Sequence, residues 1–264
     1  MLFKMQQNVK IMKIDGNLIA LRSFKTANGN GKHVISGNGN GHPHHQISAI
    51  EAEQMGDDHS FTSIETPMRP DAFLLSDENK IANIEAHFEQ IMQTLGLDLT
   101  DDSLRGTPHR VAKMFVKEIF HGLNPMNKPK MSVFDNKFRY GQMLVEKDIT
   151  LKTTCEHHFL PIFGRAHVAY ISNGTVIGLS KINRIVDYFA RRPQVQERLT
   201  VQIAEELKKV LKTDDVAIVI DAKHLCVASR GIQDDSSSTI TSEYGGAFKN
   251  DPKVREEFLR IIGY

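Results

Sequence analysis

Cys155 and His158 lie three residues apart in Thr153-Thr-Cys-Glu-His-His158. Thiolate and imidazole both suit a borderline-soft ion such as zinc, and this spacing lets one tight turn bring both to a single ion. His157 then points elsewhere and is available for proton transfer. Glu156 is placed to orient a neighbour through a hydrogen bond. The second cysteine of the chain, Cys226, follows His224 by two residues. On a strand those two side chains share a face. The expected centre is Cys155, His158 and Cys226 around zinc, with a fourth position open to water and His157 and His224 beside it. Three protein ligands and an open position mark a catalytic rather than a structural zinc site. The same two cysteines also admit a disulfide or inert burial. The Glu-His-His cluster and the absence of a secretory signal weigh towards metal.

Global composition narrows the classes. The chain has 264 residues, with 33 basic and 32 acidic side chains and a formal charge of +1. Nothing in that balance points to nucleic acid or a membrane surface. The absence of Trp and an aromatic content of 7% argue against a stacking platform for single strands. No apolar run approaches the roughly 18 residues of a membrane span. Residues 1–50 carry several lysines, one acid (Asp15) and one arginine (Arg22). That text lacks a signal-peptide core and is too poor in arginine for a transit peptide, so a cytoplasmic protein is expected.

The chain divides near residue 60. Gly/Asn-rich text recurs at 28–31 and 38–41, followed by His42, His44 and His45. It buries too little apolar surface to offset its ordering entropy, so residues 1–60 are expected to be a disordered extension and 61–264 the folded domain. From Ser76, Ile81, Ile84, Phe88, Ile91, Met92 and Leu95 recur at helical spacing, with Gly96 as the stop. Thr107-Pro108 reads as a cap and first helical position opening a second helix, with Arg110 in its first turn. Residues 143–152 and 163–171 read as strands joined by the Cys155–His158 turn. Ser180 reads as the cap of a helix burying Ile182, Ile185, Val186 and Phe189, and Lys181 and Arg184 are adjacent in its first turn. Donors at a helix start and two cations make a phosphate cradle. A further helix begins near Gln196 and Glu197, with Val195, Leu199, Ile203, Leu207 and Leu211 inward. An apolar strand over 216–222, a strand over 236–242 and a short final helix complete the order. Consecutive strands joined by short turns imply antiparallel pairing and an α+β class.

Four stretches carry a resemblance: Cys155-Glu-His-His-Phe-Leu-Pro161, Ile177-Gly-Leu-Ser-Lys-Ile-Asn-Arg-Ile-Val186, Arg192-Pro-Gln-Val-Gln-Glu-Arg-Leu-Thr200 and His224-Leu-Cys-Val-Ala-Ser-Arg-Gly231. From about Glu65 to Ile262 the chain resembles the GTP cyclohydrolase I family. The resemblance implies the tunnelling fold, an antiparallel sheet with helices on one face, assembled into a toroidal homodecamer of two stacked pentamers. It implies conversion of GTP and water to 7,8-dihydroneopterin triphosphate and formate, at the head of pterin and folate biosynthesis. Carried over by position, the zinc ligands are Cys155, His158 and Cys226, and the catalytic histidines are His157 and His224. Ser180 lies by the phosphates and ribose. Lys181, Arg184 and Arg230 bind triphosphate, with Arg110 supplied by a neighbouring subunit. Glu197 reads the guanine edge, with Gln196 adjacent. Pro-Cys-x-x-Cys, the signature of nucleobase deaminases, is absent.

Overall fold

Alternating apolar and polar residues over 143–155 build the longest strand, in which Ile149, Leu151 and Thr153 are buried while Thr150 and Lys152 face out. The computed structural model describes residues 63–264 in full, and only the backbone of 8–14 and 17–23 before them. It divides into two units, Met1–Gln54 and Met55–Tyr264.

In the first unit, β1 (Asn8–Ile14) and β2 (Asn17–Ser23) pair antiparallel. The composition-based expectation of disorder over 1–60 contains no such hairpin. Each segment carries β-prone Val, Ile or Leu at several positions, which a reading dominated by the downstream Gly/Asn text passes over. The Gly/Asn repeats and His42, His44 and His45 lie outside the described residues.

The second unit opens with α1 (Asp77–Thr94), where the Ser76 hydroxyl accepts from Asn79 N–H at 3.3 Å and Gly96 takes the left-handed conformation at φ +83° just past the end. Next comes α2 (Thr107–Met114), capped by Gly106 rather than Thr107, so Pro108 stands one position later than expected. Two short strands, β3 (Val133–Asp135) and β6 (Thr175–Ile177), pair antiparallel as a separate ribbon. The main sheet holds β4 (Met143–Cys155), β5 (Pro161–Ile171), β7 (Pro193–Gln194), β8 (Val216–His224) and β9 (Thr239–Tyr244) in the order β7-β4-β5-β8-β9. Its long pairings are antiparallel, as the short connections require, and β7 adds a two-residue parallel edge to β4.

Two helices cover one face, α3 (Leu179–Ala190) and α4 (Gln196–Leu211). Their Ile182, Ile185, Leu199 and Ile203 join Val168 and Ile220 of the sheet in the main core. Each such fully buried side chain contributes about 1.5–3 kcal/mol. After β8 a short helix, α5 (Leu225–Ala228), turns the chain. The C-terminal helices α6 (Gly246–Asn250) and α7 (Pro252–Ile262) cover part of the opposite face, where Phe248 and Phe258 pack on Ala169, Ala217 and Val219. Helical cover therefore extends beyond the single face expected.

A β-bulge shifts the β4–β5 register between Glu146 and Ile149, and Asp148 there adopts φ +60°. Its N–H donates to Nδ1 of His167, a side chain only 3% exposed. Burial holds the His167 pKa below its usual 6.5, and the nearby Asp148 and Asp221 only partly oppose this. The unfolded chain therefore takes up this proton first as the pH falls. The stabilisation is complete above about pH 6.5 and is lost as the pH drops from there towards the folded-state value. The midpoint of urea unfolding should fall between pH 7 and pH 5.5. His167→Asn, whose side-chain oxygen can accept the same N–H, should flatten that dependence; equal slopes in the two proteins would rule out the His167 contribution.

Candidate active site

Two antiparallel registers place the site. Thr154 pairs with Pro161, and Ile162 pairs with His224, so the C-terminal ends of β4 and β8 meet at one end of β5. Cys155 is the last residue of β4 and is buried. A tight turn follows, with Cys155 N–H donating to Leu160 O and Phe159 N–H to Cys155 O. Phe159 takes φ +55° to complete it and stacks edge-on against Phe120 at 5.3 Å. Glu156 N–H donates to Gln194 O of β7, which fixes the turn from its other side.

Cys226 arrives by a different route from the one expected. The strand stops at His224, and Cys226 sits in the helical turn α5, so the two do not share a strand face. The turn nevertheless brings its thiol to the group. The ligand atoms of Cys155, His158 and Cys226 all lie within 4.8 Å of one another. Donors at 2.0–2.3 Å from one tetrahedral ion stand about 3.5 Å apart, so small side-chain movements close this set on a metal. Both cysteines are free thiols, so the disulfide alternative is not formed. Two thiolates and an imidazole fit zinc by donor type.

The neighbouring histidines are held distinctly. The ring of His157 places Nδ1 3.8 Å from the Cys155 sulfur and Nε2 3.9 Å from Glu156 Oε1. His224 Nε2 lies 2.8 Å from Gln196 Oε1. The amide nitrogen of Gln196 donates to Ile220 O, Thr239 O and Thr241 Oγ1, so its oxygen must face the ring. His224 accordingly carries its proton on Nε2 and keeps Nδ1 as its titrating atom. Burial lowers the His224 pKa, and the nearby Glu197 carboxylate opposes that shift. Gln196, expected beside the substrate, is thus 1% exposed with its amide engaged by protein groups. Glu197, the next residue, is exposed in the first turn of α4.

Four cations were expected around the phosphates. Arg230 donates from Nη1 to His158 Nε2 at 2.8 Å, which ties it directly to the metal group. A neutral imidazole has one lone pair, so the His158 ring serves Arg230 or a metal through Nε2, not both. Lys181 and Arg184 lie in the first two turns of α3, half-buried and exposed respectively. Ser180 is exposed there too, but the cap is Gly178 and the helix starts at Leu179, so Ser180 does not cap it. Arg110 on α2 donates to Ser103 O and Thr107 Oγ1 within its own segment.

Sequence reasoning missed Arg198. It is 2% exposed and pairs with both carboxylate oxygens of Glu156. The only sequence hint was an arginine on the helix face next to Leu199, which by itself reads as surface.

The model of the family described as GTP cyclohydrolase I matches residues 84–263. A protein named GTP cyclohydrolase 1 from Flavobacterium johnsoniae is 65% identical over 210 residues, covering 80% of this chain and 94% of the relative. Its namesake in Vibrio parahaemolyticus is 56% identical over 196 residues, covering 74% and 89%. That of Aeromonas salmonicida is 54% identical over 212 residues, covering 80% and 92%. With the metal group, the flanking histidines and the sheet that places them, these matches lead to one statement: the chain belongs to the GTP cyclohydrolase I family.

Proposed function

We propose that this chain is a zinc-dependent GTP cyclohydrolase I, converting GTP and water to 7,8-dihydroneopterin triphosphate and formate at the start of pterin and folate biosynthesis. The observation that carries the reading is the Cys155, His158 and Cys226 group within 4.8 Å, with two further histidines at its edge. Cys155, His158 and Cys226 would hold the zinc, which supplies a Lewis acid that brings the pKa of water towards about 7.

The chain's own groups do the rest. His224 faces the task of protonating guanine N7, which makes C8 more electrophilic. Because Nε2–H is committed to Gln196, the proton given to N7 must travel through Nδ1. Gln196 acts by fixing that ring rather than by touching the nucleotide. His157 moves protons during the opening and rearrangement of the ribose, and Ser180 assists there as a hydroxyl donor. The Glu197 carboxylate accepts from guanine N1–H and the 2-amino group together. Adenine lacks that donor pair and would leave a carboxylate unmatched. Lys181, Arg184 and Arg230 neutralise the triphosphate, and Arg230 can do so once it leaves His158.

Association of copies is supported by what the single chain leaves uncovered. Ile91 on α1 and Leu95 just past its end are 51% and 72% exposed, and Phe138 is 98% exposed. Apolar side chains of this size left open support association with other copies, and the family resemblance supplies its form, a decamer of two stacked pentamers. In that assembly Arg110 reaches the site of a neighbouring subunit. Among the described residues no helix is long and apolar enough to cross a membrane. We place the enzyme in the cytoplasm, with no nucleic acid or membrane as partner.

Incubation with GTP should release formate and yield a pterin that fluoresces after oxidation and dephosphorylation, and a chelator should abolish both. Cys226→Ser should lose bound metal and turnover together; a protein retaining one metal per chain and full activity would refute the centre. Glu197→Gln should raise KM for GTP by about 10–100-fold, the loss of hydrogen bonds to a charged acceptor, with unfolding unchanged. An unaltered KM would remove Glu197 from guanine recognition.

A further inference from the structure

Arg198 sits beneath the metal turn and reaches in two directions. Towards the site, its Nη1 and Nη2 grip the two oxygens of Glu156, the residue between metal ligand Cys155 and His157. Away from the site, its Nε donates to Ser63 O at 3.1 Å. The next carbonyl, Ile64 O, accepts from Gln202 Nε2 at 2.7 Å, one helical turn along α4. Both side chains are buried, at 2% and 4% exposure. Gln202 Oε1 in turn accepts from Gln194, whose backbone carbonyl holds Glu156 N–H. The metal turn is therefore tied to Ser63–Ile64 along two routes, through the Glu156 carboxylate and through its backbone N–H. Segment 63–65 lies well before residue 84, where the family match begins.

We infer that Arg198 is a positioning residue that couples the seating of segment 63–65 to the geometry of the metal turn. A planar guanidinium suits this task because its fork meets a carboxylate with two parallel bonds while a third N–H points elsewhere. Coupling of this kind is reciprocal: what a closed metal turn does to segment 63–65, that segment does to metal affinity. The inference rests on the metal reading of Cys155, His158 and Cys226, but not on which reaction the site performs.

Cobalt(II) is the probe, because its visible absorption reports thiolate and imidazole ligation. In the full chain, cobalt should slow amide hydrogen exchange in the peptide spanning 60–70. Arg198→Met should weaken cobalt binding by about 10–100-fold, the usual effect of removing a group that orients metal ligands, and alter the absorption bands. At saturating cobalt its 60–70 peptide should keep only the share of the protection carried through Gln202 and Gln194. Arg198→Lys keeps a cation for Glu156 but cannot hold Ser63 O as well. It should bind cobalt within a few-fold of the native chain, with native bands, yet show the same reduced exchange protection as Arg198→Met. Should Arg198→Met fail to fold, Arg198→Lys and Glu156→Gln carry the test, the latter weakening cobalt binding as Arg198→Met would. Unchanged affinity in both Arg198→Met and Glu156→Gln, or protection undiminished in Arg198→Lys, would overturn the coupling. A chain that shows all the expected cobalt effects but releases no formate from GTP would leave the coupling standing and sink the reaction.

Discussion

Strand register is the constraint on which the site depends. β5 lies between β4 and β8 and pairs with both, so the ends that carry Cys155 and His224 are brought level by backbone hydrogen bonds alone. A slip of one residue in either pairing would turn every side chain to the opposite face and separate the thiols. Each face of this sheet carries a core, with Val168 and Ile220 in the one and Ala169 and Val219 in the smaller one that covers part of the other face. Such a slip would therefore expose two cores at once. The bulge at Asp148 lies towards the far end of β4, where irregularity leaves the register at Cys155 intact.

Behind the metal turn stands a layer of buried polar groups rather than a hydrophobic wall. Gln194, Gln196, Arg198 and Gln202 are all under 5% exposed, and each is tied to named backbone or side-chain partners. Burying such groups is costly unless their bonds are made, and removing one member of a buried ion pair typically costs about 3–5 kcal/mol. What the layer provides is direction. It determines which His224 nitrogen titrates and which way the Glu156 carboxylate points. An apolar layer of equal volume could stabilise the domain but could not orient these side chains.

The sequence disclosed the chemistry better than the geometry. Cys155-x-x-His158 was readable because a turn of that spacing converges locally. Cys226 was assigned to the same ion, yet through a strand face that does not exist, since α5 begins one residue after His224. Ser180 read as a cap because serine favours that position, while the chain uses Gly178 and starts the helix two residues earlier. Apolar periodicity found the inward faces of α3 and α4 because burial there is dictated by the helix itself. It could not find Arg198 or Gln202, whose burial depends on segment 63–65, more than 130 positions away in sequence. The stripe on α1 was also readable, but only Met92 of it is buried within one chain. Periodicity shows that a face is apolar, not which chain covers it.

The span of sequence between the two thiols has its own meaning. Cys155 and Cys226 are 71 residues apart, and the segment between them contains β5, α3, α4 and β8. A metal held by both is a cross-link that closes a long loop around most of the core. Closing a loop of that length covalently restrains the unfolded chain by about 4 kcal/mol in the chain-entropy model, and a metal bound by the folded state alone acts in the same sense. An ion held by this group would thus be a reversible clasp on the fold as well as a part of the chemistry proposed for it, and scarcity of metal would then be felt as shortened lifetime of the protein as well as lost turnover.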